Sequence, residues 1–443
     1  MVVSGLKRKE IFIPLIFGLM FSVLYYYLPI KYLAAGIVGV IGVALILYDI
    51  KLGLMAAVFL LPFLPDTLIL LFMFFLIAVF AYKQSFGEYS PLVKAPIDMP
   101  IVLFVIIITI STITSIYFMG SFRDLAIHAG GICFLLVMVN SVKTKEDFHI
   151  IYTMLVFSAT LVALYGLFQY VVGVEIEAAW LDVENNPGIR TRVYSVFYNP
   201  NILAEYLIFT IPLSVSLLWH SKKLHKKILF LGTTGITTLA LVLTLSRGGW
   251  LGFAFSALIF ILLVERRLLL SIIPIVMGGI LFLPDVILNR IVSIGNLRDS
   301  SNAYRITMWG ITREIIQDNW VAGVGFGHLP FKQTFETYIR TMPIYHSHNT
   351  YLQTAAELGI PGLVAFLLFL FVLFKYGIIK LIKNEDKYIR IMGAGAISAL
   401  GGVLLHGLVE NVLYLPKIIL TFWILVSFIL TLIRINDIEK GIS

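Results

Sequence analysis

The sequence predicts an all-α polytopic integral membrane protein, with about 12–14 transmembrane helices and a long helical external loop between 284 and 357. Three observations carry that reading. Hydrophobic residues make up 59% of the 443 and charged residues only 13%, against about 45–50% and about 25% in soluble domains. Apolar runs near the roughly 20 residues that cross a bilayer recur along most of the chain. Lys and Arg gather in alternate connections between those runs, as the positive-inside rule requires. The composition excludes an ordinary cytosolic enzyme, a disordered tail and a secreted disulfide scaffold. The single Cys133 can form neither an intramolecular disulfide nor a cysteine zinc site. The net charge of +8 then reads as anchoring at a membrane surface and not as nucleic-acid binding.

Taken in order, the candidate spans are 11–30, 33–49, 52–64, 68–82, 100–118, 125–140, 148–172, 201–219, 228–245, 249–264, 268–283, 358–376, 391–410 and 418–434. No A-x-A-like site follows the first, so no cleavable signal peptide is expected. Pro62 and Pro65 interrupt the pair 52–64 and 68–82, which either spans twice or forms a re-entrant hairpin. Both counts are even and put the two termini on one side. Lys7, Arg8 and Lys9, the run from Lys222 to Lys227, Arg266 with Arg267, and the cluster from Lys375 to Arg390 make that side cytoplasmic.

The expected organisation is therefore 1–283 as N-terminal helices with an external loop at 173–200, 284–357 as an external subdomain, and 358–443 as C-terminal helices. A long connection in a compact protein is usually functional. Within 284–357, Ser301-Asn302-Ala303-Tyr304-Arg305 is a helix start, and the helix should run to about Asp318. No internal repeat of the transporter kind is visible.

The residues able to do chemistry lie on the expected outer face. Arg247, in Ser246-Arg247-Gly248-Gly249, is expected at the outer end of one helix, with the two glycines leading into the next. Its guanidinium fork suits phosphate oxygens, and the adjacent glycines would admit a bulky anion to the backbone. The alternative is an arginine that caps a helix C-terminus and snorkels to the headgroups. Arg305, beside Tyr304, is a second phosphate ligand or a solvated arginine of a loop that also carries Arg290, Arg298, Arg313 and Arg340. Arg190 and Arg192 precede Asn199-Pro200-Asn201, which reads as a helix cap; Arg192 remains a candidate anion contact. His348 stands where a short helix, about 350–358, begins, with Gly359 as its stop and Pro361 opening the next. A helix N-terminus disfavours imidazolium, which leaves the ring available as a base. His346 and His348 could instead bind a metal, or be surface histidines. Gly323-Val324-Gly325-Phe326-Gly327-His328 is expected to be a turn and not a nucleotide loop. His128, His406 and Glu410 are ionisable groups within or near the membrane. No nucleotide drives synthesis on an outer face, so a reaction there needs a preactivated donor. A lipid diphosphate fits, with arginines on the pyrophosphate and a histidine to deprotonate the acceptor hydroxyl.

These residues resemble the O-antigen ligase and O-antigen polymerase family. His348-Asn349, nine intervening residues and Gly359-Ile360-Pro361-Gly362 look like its H-N-x9-G-x-x-G signature, and Ser246-Arg247-Gly248 like its S-R-G motif. The stretch Tyr304 to Trp309 and the Asn199-Pro200-Asn201 entry fit as well, over about 190 to 415. The resemblance implies an inverting, metal-independent glycosyltransferase without cofactor. Its donor would be an undecaprenyl-diphosphate-linked glycan, gripped by Arg247 and Arg305, with His348 as base. Arg192, His346, Asn349 and Tyr304 are secondary candidates. The implied acceptor is lipid A core or another glycan, and the implied location the bacterial inner membrane with the site facing the periplasm. Leu363-Val364 follow Gly362 where the ligase branch often has a polar pair. A surface polysaccharide polymerase and a protein O-oligosaccharyltransferase are the alternatives within the class. A flippase of lipid-linked glycan is the rival outside it, although it would want basic residues along a path through the membrane and not on one face.

Overall fold

A computed structural model describes residues 8–87, 92–94, 97–174, 191–271, 274, 278, 284–295, 300–342 and 344–442. The described residues are helical and contain no strand. Contacts divide the chain into two units, Met1–Gly53 and Leu54–Ser443. The first holds α1 (Arg8–Tyr27) and α2 (Ile30–Tyr48). After α3 (Ile50–Leu60), where the boundary falls, the second continues with α4 (Asp66–Phe86), α5 (Asp98–Ile113), α6 (Phe118–Ser141), α7 (Lys145–Val172), α8 (Pro200–His220), α9 (Leu224–Leu243) and α10 (Arg247–Val264). Then come α11 (Asp285–Val292), α12 (Ser300–Asp318), α13 (His328–Tyr338), α14 (Thr350–Gly377), α15 (Lys387–His406) and α16 (Pro416–Glu439).

Among the described residues, 10 helices are long and apolar enough to cross a membrane. The chain is a multi-pass membrane protein. The interrupted pair resolves unequally. At about 1.5 Å per residue the 11 residues of α3 fall short of a bilayer's apolar core, whereas the 21 of α4 suffice. Most of the expected span 268–283 and most of the 173–200 loop, with Arg190 and Arg298, lie outside the described residues.

The core of the second unit is a helix trio. The apolar stretch of α16 is wholly buried, and α8 and α15 are mostly so. α15 packs on both α8 and α10, and α16 packs on α6. Small residues make this possible: a side chain at Gly402 would strike the Gly252 carbonyl of α10, so these helices approach backbone to backbone. By contrast α4, α9 and α10 leave most of their apolar surface uncovered, as lipid-facing helices do.

The segment between α10 and α14 is ordered in its described parts. Met308, Ile315, Phe331, Phe335, Ile344 and Ala356 form a buried cluster, which ties α12 and α13 to the start of α14. The expected stop at Gly359 is present. Its φ is +70°, a side chain there would meet the carbonyls of Trp320 and Val321, and Ile360 donates to the Trp320 carbonyl at 2.7 Å. The glycine-rich run is a turn, with φ of +69°, +115° and +96° at Gly323, Gly325 and Gly327. His328, at its end, binds Asp124 of α6 at 2.9 Å.

Candidate active site

The site is built where four chain segments meet. Asn349 caps α14, its Oδ1 accepting from the Tyr351 and Leu352 amides, both at 2.9 Å. The cap sets the direction in which the chain enters the helix. Ser347 is held from three sides. Its amide donates to Gln353 Oε1 at 2.7 Å, its hydroxyl to the Asn349 carbonyl at 2.9 Å, and its carbonyl accepts from the Trp309 indole at 3.0 Å. The His346 Nδ1 accepts from the His348 amide at 3.2 Å. Between these anchors His348 adopts a left-handed φ of +50°, which a histidine tolerates better than most residues.

The turn after α15 supplies the partner. Thr350 donates its amide to the Gly407 carbonyl at 2.8 Å and its hydroxyl to the Glu410 carbonyl at 3.0 Å. Asn349 Nδ2 donates to the Leu408 carbonyl at 2.9 Å. The turn is thus bolted to the first residues of α14, and Glu410 Oε1 comes 2.5 Å from His348 Nδ1. Glu410 Oε2 lies 3.6 Å from Arg305, and Asn201 of α8 donates to it at 3.5 Å. Burial by itself would raise the Glu410 carboxyl. His348, by charge and hydrogen bond, then His346 and Arg305 outweigh that and hold it well below the usual carboxylate range. His346 moves down to about 3, because it is buried and stands beside His348, and this outweighs the pull of Glu410.

The arginines converge from other elements. Arg247, at the first residue of α10 behind its Ser246 cap, is buried and donates to the Ser293 carbonyl at 2.9 Å. Arg192 donates to the Thr244 carbonyl at 2.9 Å and to Asn201 at 3.2 Å. Arg290 of α11 donates to the Leu245 carbonyl at 3.2 Å. Burial lowers the Arg192 guanidinium, and so do the nearby charges of Arg290, Arg247 and Arg305. Four guanidiniums therefore share one region, a concentration of like charge suited to a multiply charged anion.

Besides His348, the non-glycine described residues with positive φ are Ser195, Tyr198 and Leu245. Of these, the Leu245 carbonyl receives Arg290 and Tyr198 lines the cavity beside the histidines, and backbone held in sparsely populated regions tends to mark function.

Each sequence candidate finds a place. Arg305, His346 and His348 meet at Glu410; Arg247 and Arg192 join the cationic group; Tyr304 lines a cavity over the histidines; Asn349 is the helix cap. Two expectations change. The glycines after Arg247 serve packing and not the approach of an anion, since side chains there would strike His406 and Ala204. And His348 feels more than the helix N-terminus, because the Glu410 carboxylate adjoins it. Sequence reasoning passed over Arg290 as one of several loop arginines, and read Glu410 only as an acid near the membrane edge.

Residues 232–367 match the family model described as O-antigen ligase. This stretch resembles an O-antigen ligase domain. No curated protein matches the chain. The domain contains Arg247, Arg290, Arg305, His346 and His348 but stops before Glu410, and Arg192 precedes it. A ligase- or polymerase-type transfer of glycan is the activity that goes with such a domain. The site's donor atoms also include a three-ligand set: His346, His348 and Glu410 offer nitrogen and oxygen within 4.8 Å of one another.

Proposed function

We propose that the protein transfers a glycan from undecaprenyl diphosphate to an acceptor hydroxyl on the periplasmic face of the bacterial inner membrane, as an O-antigen ligase acting on lipid A core. The observation that carries the reading is the contact of His348 with Glu410 beside a group of arginines. Arg247 and Arg305, with Arg192 and Arg290, would take the diphosphate, their planar forks matching its oxygens. With Nδ1 of His348 turned to Glu410, Nε2 is the nitrogen left for the acceptor. It accepts the hydroxyl proton as the acceptor oxygen bonds to the anomeric carbon. The bond from that carbon to the diphosphate breaks, its electron pair leaving with the diphosphate. Attack from the face opposite the leaving group inverts the anomeric centre. Glu410 orients the imidazole and stabilises the imidazolium that forms.

The three-ligand set supports a second reading, in which a divalent cation at His346, His348 and Glu410 assists the transfer. Against it, the Arg305 guanidinium already stands 3.6 Å from the same carboxylate, and a dication there would face that charge at short range. The test is reconstitution. Purified protein is given a polyprenyl-diphosphate-linked glycan and a set of acceptors, and free polyprenyl diphosphate should appear in equal amount with joined product. Activity should survive extensive chelation. Loss with EDTA and rescue by one divalent ion would establish the metal reading, and no product with any acceptor would refute the transferase.

A further inference from the structure

A second group of cations lies at the far end of the bundle from the histidines. Asn201, which reaches Glu410, stands at the start of α8, and His220 closes that helix about 30 Å away. There the rings of His149 of α7 and His220 lie 5.9 and 5.1 Å from the ring of Tyr388 of α15. The charges of Lys222, Lys226 and Lys387 all reach His220, and that of Lys226 reaches His149 as well. Lys226 does not sit on an outward face of α9. It shares a face with Phe230, Thr233 and Thr237, which are buried. Three lysines from two separate stretches of chain thus converge around one ring cluster, where scattered surface lysines would spread apart.

Their charge is not answered within the protein. Among the described residues no ion pair includes Lys222, Lys226 or Lys387. Asp386, whose charge also reaches His220, is taken by Lys145 at 2.7 Å and by the Tyr388 and Ile389 amides, which it caps. Glu146, whose charge reaches Tyr388, is exposed. The Nδ1 atoms of His149 and His220 are buried without a hydrogen-bond partner, a cost that an outside polar group would relieve. Beside Lys226, one edge of α9 is apolar and uncovered: Leu229 is exposed, and Gly232 has no neighbour where a side chain would start. A cationic head and an apolar edge in continuity match an amphiphile, whereas a free phosphate would leave the edge bare. We propose that this end binds an anionic glycerophospholipid, its phosphate among Lys222, Lys226 and Lys387 and its chains along α9. Such a lipid would hold together the ends of α8 and α15, the two helices that lead at their other ends to Asn201 and to the Glu410 turn. The site is independent of the transferase reading.

The experiment titrates the full-length protein in neutral detergent with dioleoyl phosphatidylglycerol, dioleoyl phosphatidylcholine or glycerol 3-phosphate, and counts bound molecules by native mass spectrometry. Phosphatidylglycerol should bind saturably and most tightly. One lysine beside an anionic headgroup is worth about 5-fold, so Lys222→Gln with Lys226→Gln should weaken binding about 25-fold and Lys387→Gln about 5-fold. Lys223→Gln with Lys227→Gln removes equal charge from the same turn, on the edge of α9 away from Leu229, and should change binding little. The substituted lysines are exposed, so every variant should melt like wild type when lipid is absent. Equal losses in the two double variants would reduce the effect to diffuse surface charge and overturn the site. Binding of phosphatidylcholine as tight as that of phosphatidylglycerol would overturn it by removing the need for the charge. Binding of glycerol 3-phosphate as tight as that of the lipid would overturn it by removing the need for the chains.

Discussion

Replacing Glu410 with glutamine removes one negative charge and leaves the shape of the side chain almost unaltered. Its backbone carbonyl, which receives the Thr350 hydroxyl at 3.0 Å, is untouched, so the turn should keep its place. What is lost is the carboxylate 2.5 Å from His348 Nδ1. During transfer that ring gains a proton, and the resulting imidazolium–carboxylate contact is a charge-assisted hydrogen bond, worth about 1.5–3 kcal/mol. At about 1.36 kcal/mol per decade, Glu410→Gln should lower kcat about 10- to 150-fold. Donor KM should hold steady or fall, because Arg305, 3.6 Å from the carboxylate, is released toward the diphosphate. The assay is steady-state transfer with each substrate varied in turn, and thermal melting confirms that the variant is folded. A folded variant with wild-type kcat would refute the orienting role of Glu410.

Other outcomes follow from the same geometry. His348→Ala should cost about 10²–10⁴-fold in single-turnover transfer with donor binding retained, and His346→Ala much less; the reverse order would exchange their roles. Arg247→Lys keeps the charge but loses the fork, so donor KM should rise with expression normal, and unchanged kinetics would make Arg247 structural. Glu336→Cys in a Cys133→Ser background should react with an impermeant thiol reagent in intact cells, whereas labelling only after permeabilisation would reverse the orientation. Folding depresses His346 from 6.5 to about 3, so across that window the unfolded chain binds more protons than the folded one. Stability should be full above about pH 6.5 and decline as the pH falls, and His346→Gln should flatten the decline in melting temperature between about pH 7 and pH 5.

How legible each residue was depends on whether its meaning is local. Asn199 announces a cap, found at the start of α8, and Gly359 a stop, because each acts on neighbours within a turn of chain, whereas Arg247, expected at the end of one helix, proved to begin the next. The α12 helix was equally readable, being expected from Ser301 to about Asp318 and found at Ser300–Asp318. Glu410 was not, since its partner His348 is far away in sequence and only the hydrogen bonds of Thr350 and Asn349 to the turn bring them together. Gly248 and Gly249 misled for a related reason. Their close neighbours, His406 and Ala204, come from α15 and α8, and helix-to-helix distance leaves no trace in a local motif. The break at Pro62 and Pro65 was visible, but which half was long enough to span emerged only with the helix ends.

The turn bolted to α14 also limits how far the domain can be treated as a module. The stretch that matches the O-antigen ligase family ends at 367, inside α14, yet the carboxylate against its histidine arrives with residues 407–412, after another complete helix. A chimera that exchanged only the matched stretch would join one protein's histidine to another's carboxylate, across hydrogen bonds that had never been fitted to each other. Grafts meant to move acceptor preference between relatives therefore need two pieces of chain, exchanged together.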